Sequence, residues 1–239
     1  MELEGKQVRI GVIGAPCIGK SCVVKRFVEN SFHGSQYNPT PGVDFYSRRM
    51  SVKPLGTVTL IIIDIAGSAI SSKMLPIYLH GIDVFLFTYD MTNTASLNEL
   101  RKWVTVVYGL AEEKHLEPSV ALVGSKGDLE HLRTVRLDAH TRFAQEFNIQ
   151  LSFLVSAKSG ESVQTCFTKC AIYHLSPEAK QRVREHAMLP MAIPKRQSLP
   201  AQNHPMAIPQ PPGTSAGILN PTTTSAAMAD PNSTVCSVQ

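Results

Sequence analysis

Eight residues near the N-terminus, GAPCIGKS from Gly14 to Ser21, supply the glycines, lysine and hydroxyl that a phosphate-binding loop needs. They fit the pattern G-x-x-x-x-G-K-[ST] between a β-branched run and a helical pattern, which is the context that this motif demands. The backbone N–H groups of such a loop converge on phosphate oxygens, and the following helix adds the positive end of its dipole. The residues expected to hold phosphate here are Gly14, Cys17, Ile18, Gly19, Lys20, Ser21 and Cys22.

Two side chains of this loop have specific expected tasks. The Lys20 amine should reach the β- and γ-phosphates of a nucleotide, and the Ser21 hydroxyl should ligate Mg²⁺. Pro16 carries no amide hydrogen, so the donating amides must begin at Cys17. A glycine-rich turn with an incidental lysine is the alternative interpretation of the same residues.

A second cluster follows the apolar run LIIID, which ends at Asp64. A carboxylate at the end of a buried strand can hold a metal through a water, as in other phosphate-loop proteins. Gly67 leaves room for a backbone N–H to approach a γ-phosphate. We therefore predict that Asp64 is a metal ligand and Gly67 a phosphate-binding residue, the alternative being that Asp64 only caps the next helix.

Two further segments, GSKGD from Gly124 and SAK from Ser156, also follow apolar runs and should meet the loop at one sheet edge. Asp128 can accept hydrogen bonds from N1–H and the exocyclic amine of guanine, a pair that adenine does not offer. The stem of Lys126 and the ring of Phe32 can cover the two faces of the base. The predicted guanine-binding residues are Phe32, Ser125, Lys126, Asp128, Ser156, Ala157 and Lys158.

Strand and helix patterns alternate between these motifs, and this order predicts a mostly parallel sheet with helices on both faces. Continuous apolar runs such as DVFLFTYD and SVALVGS indicate strands that are buried on both sides. The runs VDFYSRRMSV and TVTLIIID, separated by KPLG, indicate a hairpin. The run TASLNELRKWVTVVYGL has a helical period, with Thr94 or Ser96 as its expected N-cap.

The composition excludes several classes of protein. The chain of 239 residues has a formal charge of only +4 with scattered basic residues, which argues against nucleic acid as a partner. Five cysteines without a framework spacing indicate a reducing compartment. The polar N-terminus MELEGKQ is not a signal peptide, and no apolar run approaches the length of a membrane span.

A change in composition near residue 176 predicts two regions. From Pro177 onward the chain holds ten of its 16 prolines, and from Gln197 to the end Asp230 is the only charged residue. We predict a globular domain over 6–175 and a disordered Pro-rich tail over 176–239. The segment PMAIP, which occurs twice in this tail, is either part of a low-complexity linker or a docking motif.

Together, GAPCIGKS, DIAG, GSKGD and SAK resemble the small GTPases of the Ras superfamily over roughly residues 6–175. PGVDF, YLHGI and FTYDMT are similar to stretches of the Rab branch, and VALVGSKGDLEHLRT with the ending CSVQ resembles Rab subfamily twenty-eight. The resemblance implies an α/β fold, the three-layer P-loop GTPase or G domain. Its sheet is mostly parallel and six-stranded, with helices on both faces.

The resemblance also implies a switch that binds GTP or GDP with Mg²⁺, in which GTP orders two loops and hydrolysis releases them. Thr40 corresponds to the switch I threonine that ligates Mg²⁺, and the prolines on either side of it, Pro39 and Pro41, favour extended backbone there. Switch II runs from Ala66 to about His80. The switch I residues implied to contact effectors are Thr40, Pro41, Gly42, Val43, Asp44 and Phe45. The implied partners are an exchange factor, a GTPase-activating protein and effectors, and the chain itself is expected to be a monomer.

Three residues depart from the family pattern. Ser68 stands where the family has the glutamine that orients the attacking water, and its side chain is too short for that task. Intrinsic hydrolysis is therefore expected below the already slow value of about 10⁻⁴ s⁻¹ for this class. Ser125 replaces the asparagine that braces the base site, which predicts weaker nucleotide binding with an unchanged guanine preference. Ile63 replaces an aromatic residue before Asp64, which leaves the choice of effector open.

The last four residues, CSVQ, form a C-a-a-X box whose final glutamine favours farnesylation of Cys236. One lipid chain binds membranes only marginally, and neither a second cysteine nor a basic cluster lies beside it. We therefore expect the protein to move between the cytoplasm and the cytoplasmic face of membranes with a prenyl-binding carrier. The resemblance favours endosomal, plasma or ciliary basal-body membranes.

These residues are compatible with more than one function. The first is a Rab-like GTPase of vesicle traffic and protein transport that hydrolyses GTP slowly. The second is a hydrolysis-deficient GTP-binding interaction module controlled by exchange and lipidation. A P-loop kinase or ATPase is disfavoured, because Asp128 and the SAK segment select guanine and no arginine-rich lid insertion is present. We favour the first function over the second, because the metal and phosphate ligands Lys20, Ser21, Thr40, Asp64 and Gly67 are all present.

Overall fold

The computed structural model describes residues 6–32, 34, 38–53, 55–113 and 117–181. Their centre is a six-stranded sheet with the order β2-β3-β1-β4-β5-β6. The strands are β1 (Lys6–Ile13), β2 (Val43–Val52), β3 (Gly56–Ile65), β4 (Val84–Asp90), β5 (Ser119–Ser125) and β6 (Leu151–Leu154). The α-helices are α1 (Lys20–Glu29), α2 (Leu75–Tyr78), α3 (Thr94–Glu113), α4 (Leu137–Glu146) and α5 (Val163–Leu175), and 3₁₀ helices cover Gly67–Ser71 and Gly127–Leu132.

The sheet is parallel except at one edge. β1 is parallel to both β3 and β4, and β5 is parallel to both β4 and β6. β2 is antiparallel to β3, with Val52 opposite Gly56, so the predicted hairpin is confirmed. The predicted six-stranded, mostly parallel sheet with helices on both faces is also confirmed. This topology brings the carboxyl ends of β1, β3, β4, β5 and β6 to one edge of the sheet.

The central strands are continuous apolar runs because helices cover both of their faces. All residues of β4 and β5 are buried. On one face, Trp103 of α3 and Phe143 of α4 belong to the same buried cluster. On the other face, Phe27 of α1 and Phe167 of α5 stack with their ring centroids 4.1 Å apart. Truncating a buried ring of this kind to alanine costs about 3–5 kcal/mol in comparable cores, so these pairs anchor the helices that flank the sheet.

The helix α3 begins where its periodicity predicts, but the predicted N-cap is wrong. Asn93 precedes the helix, and its side-chain oxygen accepts a hydrogen bond from the Ala95 N–H at 3.0 Å. Ser96 instead donates its hydroxyl to the Asn93 carbonyl at 2.7 Å and accepts from the Asp90 N–H at 2.9 Å. The residues at 93, 94 and 96 are all of types that favour caps, so residue type alone does not select among them.

Within the described ranges, no helix is both long and apolar enough to cross a membrane. Beyond α5, residues 177–181 are helical. The remainder of the predicted tail, including both PMAIP segments and Cys236, lies outside the described residues. The division into 6–175 and 176–239 therefore stays a prediction.

Candidate functional site

A cavity of about 670 Å³ is lined by segments that follow β1, β3, β5 and β6. The predicted site residues on its wall are Cys17, Ile18, Gly19, Lys20, Ser21, Cys22, Phe32, Thr40, Gly67, Ser68, Ser125, Lys126, Asp128, Ala157 and Lys158. Gly14, Asp64 and Ser156 are hydrogen-bonded directly behind this wall, to Lys20, Ser21 and Asp128 respectively. The structure thus brings the four predicted motifs together around one cavity.

The loop that joins β1 to α1 depends on left-handed backbone. Gly19 has φ 93°, and Cys17 has φ 61°, which residues with a Cβ seldom adopt. Gly14 passes so close to β4 that a Cβ would lie 2.1 Å from the Thr88 carbonyl oxygen. Ile18 is 2% exposed with its side chain near Gly14, so it offers the cavity mainly its backbone. The two glycines of the motif therefore permit the turn and the close approach of the loop to the sheet.

Lys20 folds its side chain back over this loop. Its amine donates to the carbonyl oxygens of Gly14 at 3.0 Å and Ala15 at 2.7 Å, and only 6% of the residue is exposed. Burial lowers the pKa of this amine from 10.5 to about 8, while the charge of Asp64 opposes the shift. An incidental lysine would extend into solvent, so that alternative does not fit the structure.

Ser21, Thr40 and Asp64 bring oxygen atoms together at the start of α1. The Ser21 hydroxyl donates to Asp64 Oδ2 at 2.5 Å and lies 3.1 Å from Thr40 Oγ1. Asp64 is fully buried, and its Oδ1 has no hydrogen-bond partner in the part of the chain that the structure describes. Burial raises the pKa of Asp64, and the hydrogen bond from Ser21 opposes this rise. The helix-capping alternative is wrong, because the next 3₁₀ helix follows Ala66 with no side-chain cap.

This oxygen cluster fits a hard divalent cation. A buried carboxylate oxygen without a partner is costly, and a bound cation would remove that cost. Carboxylate and hydroxyl oxygens are the ligands that Mg²⁺ prefers, whereas zinc favours cysteine and histidine. No group of three or more His, Cys, Asp or Glu side chains is placed to hold a metal in the described ranges. The donor set at Asp64 therefore suits magnesium better than a softer metal.

Gly67 lies directly against the phosphate loop. A Cβ at this position would lie 2.2 Å from the Pro16 nitrogen and 2.5 Å from the Ala15 carbonyl carbon, so a larger residue would displace one of the two segments. Ser68 follows on the 3₁₀ helix as an exposed residue of the cavity wall. Its hydroxyl is two carbons closer to the backbone than the amide of a glutamine would be.

The predicted switch I segment enters β2 through a tight turn. The Gly42 N–H donates to the Thr40 carbonyl at 3.1 Å, and the Val43 N–H donates to the Pro41 carbonyl at 3.1 Å. Gly42 has φ 81°, a conformation that favours glycine. Two consecutive γ-turns, centred on Pro41 and Gly42, therefore follow Thr40 directly. The prediction of extended backbone concerns Thr40 itself.

The rest of the predicted effector segment runs along β2 at the edge of the sheet. The Gly42 carbonyl accepts a hydrogen bond from the Ala66 N–H at 2.8 Å, so the two predicted switches are joined through their backbones. Phe45 is 68% exposed, whereas Asp44 is half-buried and Val43 packs against the core. Phe45 is thus an apolar side chain of this segment that a partner protein can cover.

Ser125, at the end of β5, ties the base side of the cavity to the phosphate loop. Its hydroxyl lies 2.5 Å from the Ile18 carbonyl oxygen and 2.9 Å from the Tyr89 carbonyl oxygen, and the residue is 1% exposed. A hydroxyl has one proton, so the two acceptors share it or alternate. Ser125, although shorter than asparagine and limited to a single donor, therefore still links β5 to the phosphate loop and to β4.

Lys126 carries the chain from β5 into the following 3₁₀ helix. Its amine pairs with the Asp90 carboxylate at 2.6 Å, and the residue lines the cavity. Asp90 is also held by the backbone N–H and the hydroxyl of Thr92, at 2.8 Å and 2.7 Å. Phe32 lines the same cavity and is 36% exposed. Both predicted covers of a planar base therefore lie at the cavity wall.

Asp128 reaches the cavity from the start of the second 3₁₀ helix. The Ser156 hydroxyl donates to Asp128 Oδ1 at 2.7 Å and accepts from the Ser159 N–H at 3.1 Å. Ser156 is 1% exposed, so this short network operates in a low dielectric and holds the carboxylate in one orientation.

Asp90 and Arg26, which hold residues of the cavity wall, are not among the residues that the sequence predicts for this site. Asp90 ends the apolar strand β4 at the same sheet edge as the motifs, and this position was a usable signal. Arg26 offers no such signal, because its guanidinium donates to backbone carbonyls of Ala157 and Lys158, at 2.5 Å and 2.7 Å. Contacts between a side chain and a distant backbone leave no residue pattern in the sequence.

The parallel sheet, the loop before α1 and the oxygen cluster together define a P-loop nucleotide-binding protein. The model of the Ras family matches residues 9–174. The chain is 34% identical over 164 residues to the Ras-related protein Rab-28 of Caenorhabditis elegans, and this alignment covers 69% of this chain and 65% of that protein. It is 37% identical over 163 residues to the Ras-related protein Rab-4 of Dictyostelium discoideum, covering 68% of this chain and 77% of that protein. For the Ras-related protein Rab-4B of Homo sapiens, the identity is 39% over 161 residues, covering 67% of this chain and 72% of that protein.

The chain therefore belongs to the Ras family, within the Rab branch of small GTPases.

Proposed function

We propose that this chain is a Rab-type switch that binds GDP and GTP with Mg²⁺ and recruits effectors in intracellular membrane traffic. The observation that carries the proposal is the convergence of a phosphate loop, an oxygen cluster and a base-recognition loop on one cavity of about 670 Å³. Cavities of 300–1,000 Å³ are the usual size for small-molecule sites. Family membership supports the same conclusion.

The phosphate end of the proposed site is built on the start of α1. The loop amides from Cys17 onward, together with the helix dipole, would bind phosphate oxygens. Lys20 already lies over the loop, and its buried amine would gain negative partners from the β- and γ-phosphates. Ser21, Thr40 and Asp64 would hold Mg²⁺, which would neutralise charge on those phosphates when bound.

The base end of the proposed site selects guanine. Asp128 would accept from N1–H and the exocyclic amine, and Ser156 holds its carboxylate in position. An adenine base offers no such pair of donors, so the carboxylate would keep only the Ser156 hydroxyl, which is a costly arrangement in a cavity. Lys126 and Phe32 would cover the faces of the base.

We further propose that GTP hydrolysis is slow. The ligands for phosphate and metal are all present, but Ser68 is too short to orient a water toward the γ-phosphate as glutamine does. A second candidate function follows from this same residue. In that case the chain is an interaction module that keeps GTP bound and is controlled by exchange and lipidation.

The tail supplies the proposed membrane attachment. Cys236 would carry a farnesyl group, and a single lipid chain gives only reversible binding. A prenyl-binding carrier would then return the protein to the cytoplasm from the cytoplasmic face of its target membrane. We propose the same domain boundaries as the sequence predicts, 6–175 and 176–239.

Nucleotide selectivity tests this function directly. Fluorescent GDP should bind the full chain in Mg²⁺ more tightly than the matching ADP analogue, by a factor on the order of 10⁴. An Asp128→Asn variant should move the preference from guanine to xanthine, because an amide can donate to the 2-oxo group of xanthine. Equal binding of GDP and ADP, or an unchanged preference in Asp128→Asn, would contradict the proposal.

A further inference from the structure

Arg26 joins helix α1, which begins at the phosphate loop, to the segment after β6 that lines the base end of the cavity. It lies on α1, the helix that begins at the phosphate loop, and its Nε donates to the Ala157 carbonyl at 2.5 Å. Its Nη2 donates to the Lys158 carbonyl at 2.7 Å, and its Nη1 donates to the Asn30 carbonyl at 2.9 Å. The planar guanidinium thus holds backbone carbonyls on two elements at once, a geometry that the flexible lysine ammonium does not provide.

The first of these bonds sets the direction of a backbone amide at the cavity wall. In a trans peptide the C=O and N–H groups point in opposite directions, so the held Ala157 carbonyl turns the Lys158 N–H away from Arg26. Lys158 lines the cavity, and its N–H has no protein acceptor in the ranges that the structure describes. That amide is therefore available to an acceptor atom on a ligand.

The second bond acts on the carboxylate of the base site. Because Arg26 holds the Lys158 carbonyl, the Ser159 N–H points the opposite way, and it donates to Ser156 Oγ at 3.1 Å. Ser156 Oγ donates in turn to Asp128 Oδ1 at 2.7 Å. One guanidinium thereby orients both a donor and an acceptor toward the same cavity.

We propose that Arg26 is a positioning residue for guanine recognition. The Lys158 amide and the Asp128 carboxylate form a donor beside an acceptor, which matches the 6-oxo group beside N1–H on guanine. Arg26 touches neither the base nor the phosphates and acts only through the loop that it holds. The inference rests on the proposed function, since it specifies how that site recognises its nucleotide.

The test combines variants of the full chain with an altered base. The 6-thio analogue of GDP keeps N1–H and the exocyclic amine but replaces the 6-oxo group with sulfur, a weaker acceptor. Arg26→Ala should weaken GDP binding about tenfold, or 1.4 kcal/mol. It should weaken binding of the 6-thio analogue by a clearly smaller factor, because that ligand gains less from the Lys158 amide. A role limited to stability would weaken both ligands by the same factor.

Two further variants keep the test decisive. Arg101→Ala removes a guanidinium that pairs with Glu146 outside the cavity, and it should change neither affinity. Arg26→Lys keeps the charge but loses the planar fork, so its preference for GDP over the 6-thio analogue should lie between those of the parent and Arg26→Ala. If Arg26→Ala does not fold, Arg26→Lys takes its place in the test.

The possible outcomes separate the two proposals. If the parent chain prefers GDP over its 6-thio analogue and both Arg26 variants keep that ratio, the role of Arg26 is wrong and the proposed function stands. If the parent chain binds no guanine nucleotide, the proposed function fails and the role of Arg26 fails with it.

Discussion

Ser21 and Asp64 lie 43 residues apart, and the Ser21 hydroxyl donates to Asp64 Oδ2 at 2.5 Å. The pairing of β1 with β3 places Asp64 opposite Val12, next to the loop that leads to Ser21. The second carboxylate oxygen is buried and has no partner among the described residues. The proposed metal ligands are therefore already in contact, and the orphaned oxygen gives this cluster a reason to bind a cation.

An Asp64→Asn variant should separate metal binding from folding. The amide keeps the shape but not the charge, so Mg²⁺ should no longer slow the release of fluorescent GDP. The nucleotide-free protein should at the same time gain on the order of 1 kcal/mol in free energy of unfolding, because burial raises the pKa of Asp64 and a neutral amide avoids that cost of burying the charge. Release rates with Mg²⁺ or EDTA, and urea unfolding, measure the two effects.

Asp44→Asn is the matched control for this experiment. Asp44 lies opposite Asp64 in the β2–β3 register but makes no hydrogen bond to Ser21 in the structure. It should keep the parent response to Mg²⁺. If Mg²⁺ slows GDP release from Asp64→Asn as strongly as it does from the parent, the carboxylate is not a metal ligand.

Ser125 predicts a graded change in nucleotide retention. Ser125→Ala removes the donor that serves the Ile18 and Tyr89 carbonyls, so GDP should dissociate about tenfold faster, as for one lost buried hydrogen bond. Ser125→Asn supplies two donors and should slow release relative to the parent. Ser119→Ala, at the other end of β5, is the control and should release GDP at the parent rate. If Ser125→Ala releases GDP at the parent rate, the hydrogen bonds of Ser125 do not contribute to nucleotide retention.

His140 predicts how stability depends on pH. Burial, and then the charge of Arg133, lower the pKa of His140 from 6.5 to about 4, and its Nδ1 lies 2.9 Å from the Tyr89 hydroxyl. The unfolded chain takes up this proton near pH 6.5, whereas the folded chain does so only near pH 4. The stabilisation by neutral His140 is therefore complete above pH 6.5 and is lost as the pH falls toward 4, by roughly 2–3 kcal/mol.

A His140→Phe variant tests this pH dependence because it removes the titrating group. Its free energy of unfolding should fall less steeply than that of the parent between pH 6.5 and 4. The exposed His131→Gln is the control and should follow the parent. Parallel pH profiles for His140→Phe and the parent would contradict the assignment.

The parts of the fold and site that could be predicted are those with a local signature. The phosphate loop is a motif of eight consecutive residues, so the positions of Lys20 and Ser21 at the start of α1, on the cavity wall, could be predicted from spacing alone. The position of Asp64 could be predicted because an acidic residue near the end of an apolar strand lies at the edge of a parallel sheet where ligands bind. The continuous apolar runs predicted β4 and β5 because both faces of these strands are covered.

The parts that could not be predicted depend on backbone partners far along the chain. Arg26 and the Ala157 carbonyl are 131 residues apart, and a carbonyl is present at every position. For the same reason, the two acceptors of the Ser125 hydroxyl could not be predicted, because they are backbone carbonyls on two other segments. The cap of α3, Asn93, could not be predicted because the polar residues beside it have similar capping propensities.

Single-turnover hydrolysis of γ-labelled GTP tests the central claim most directly, because it asks whether the nucleotide site is complete except for its water-orienting residue. The parent chain should retain GTP and hydrolyse it below about 10⁻⁴ s⁻¹, and Ser68→Ala should match it. Ser68→Gln should raise the rate at least about tenfold by supplying the missing orientation of water. A parent rate equal to or above that of Ser68→Gln would contradict the account.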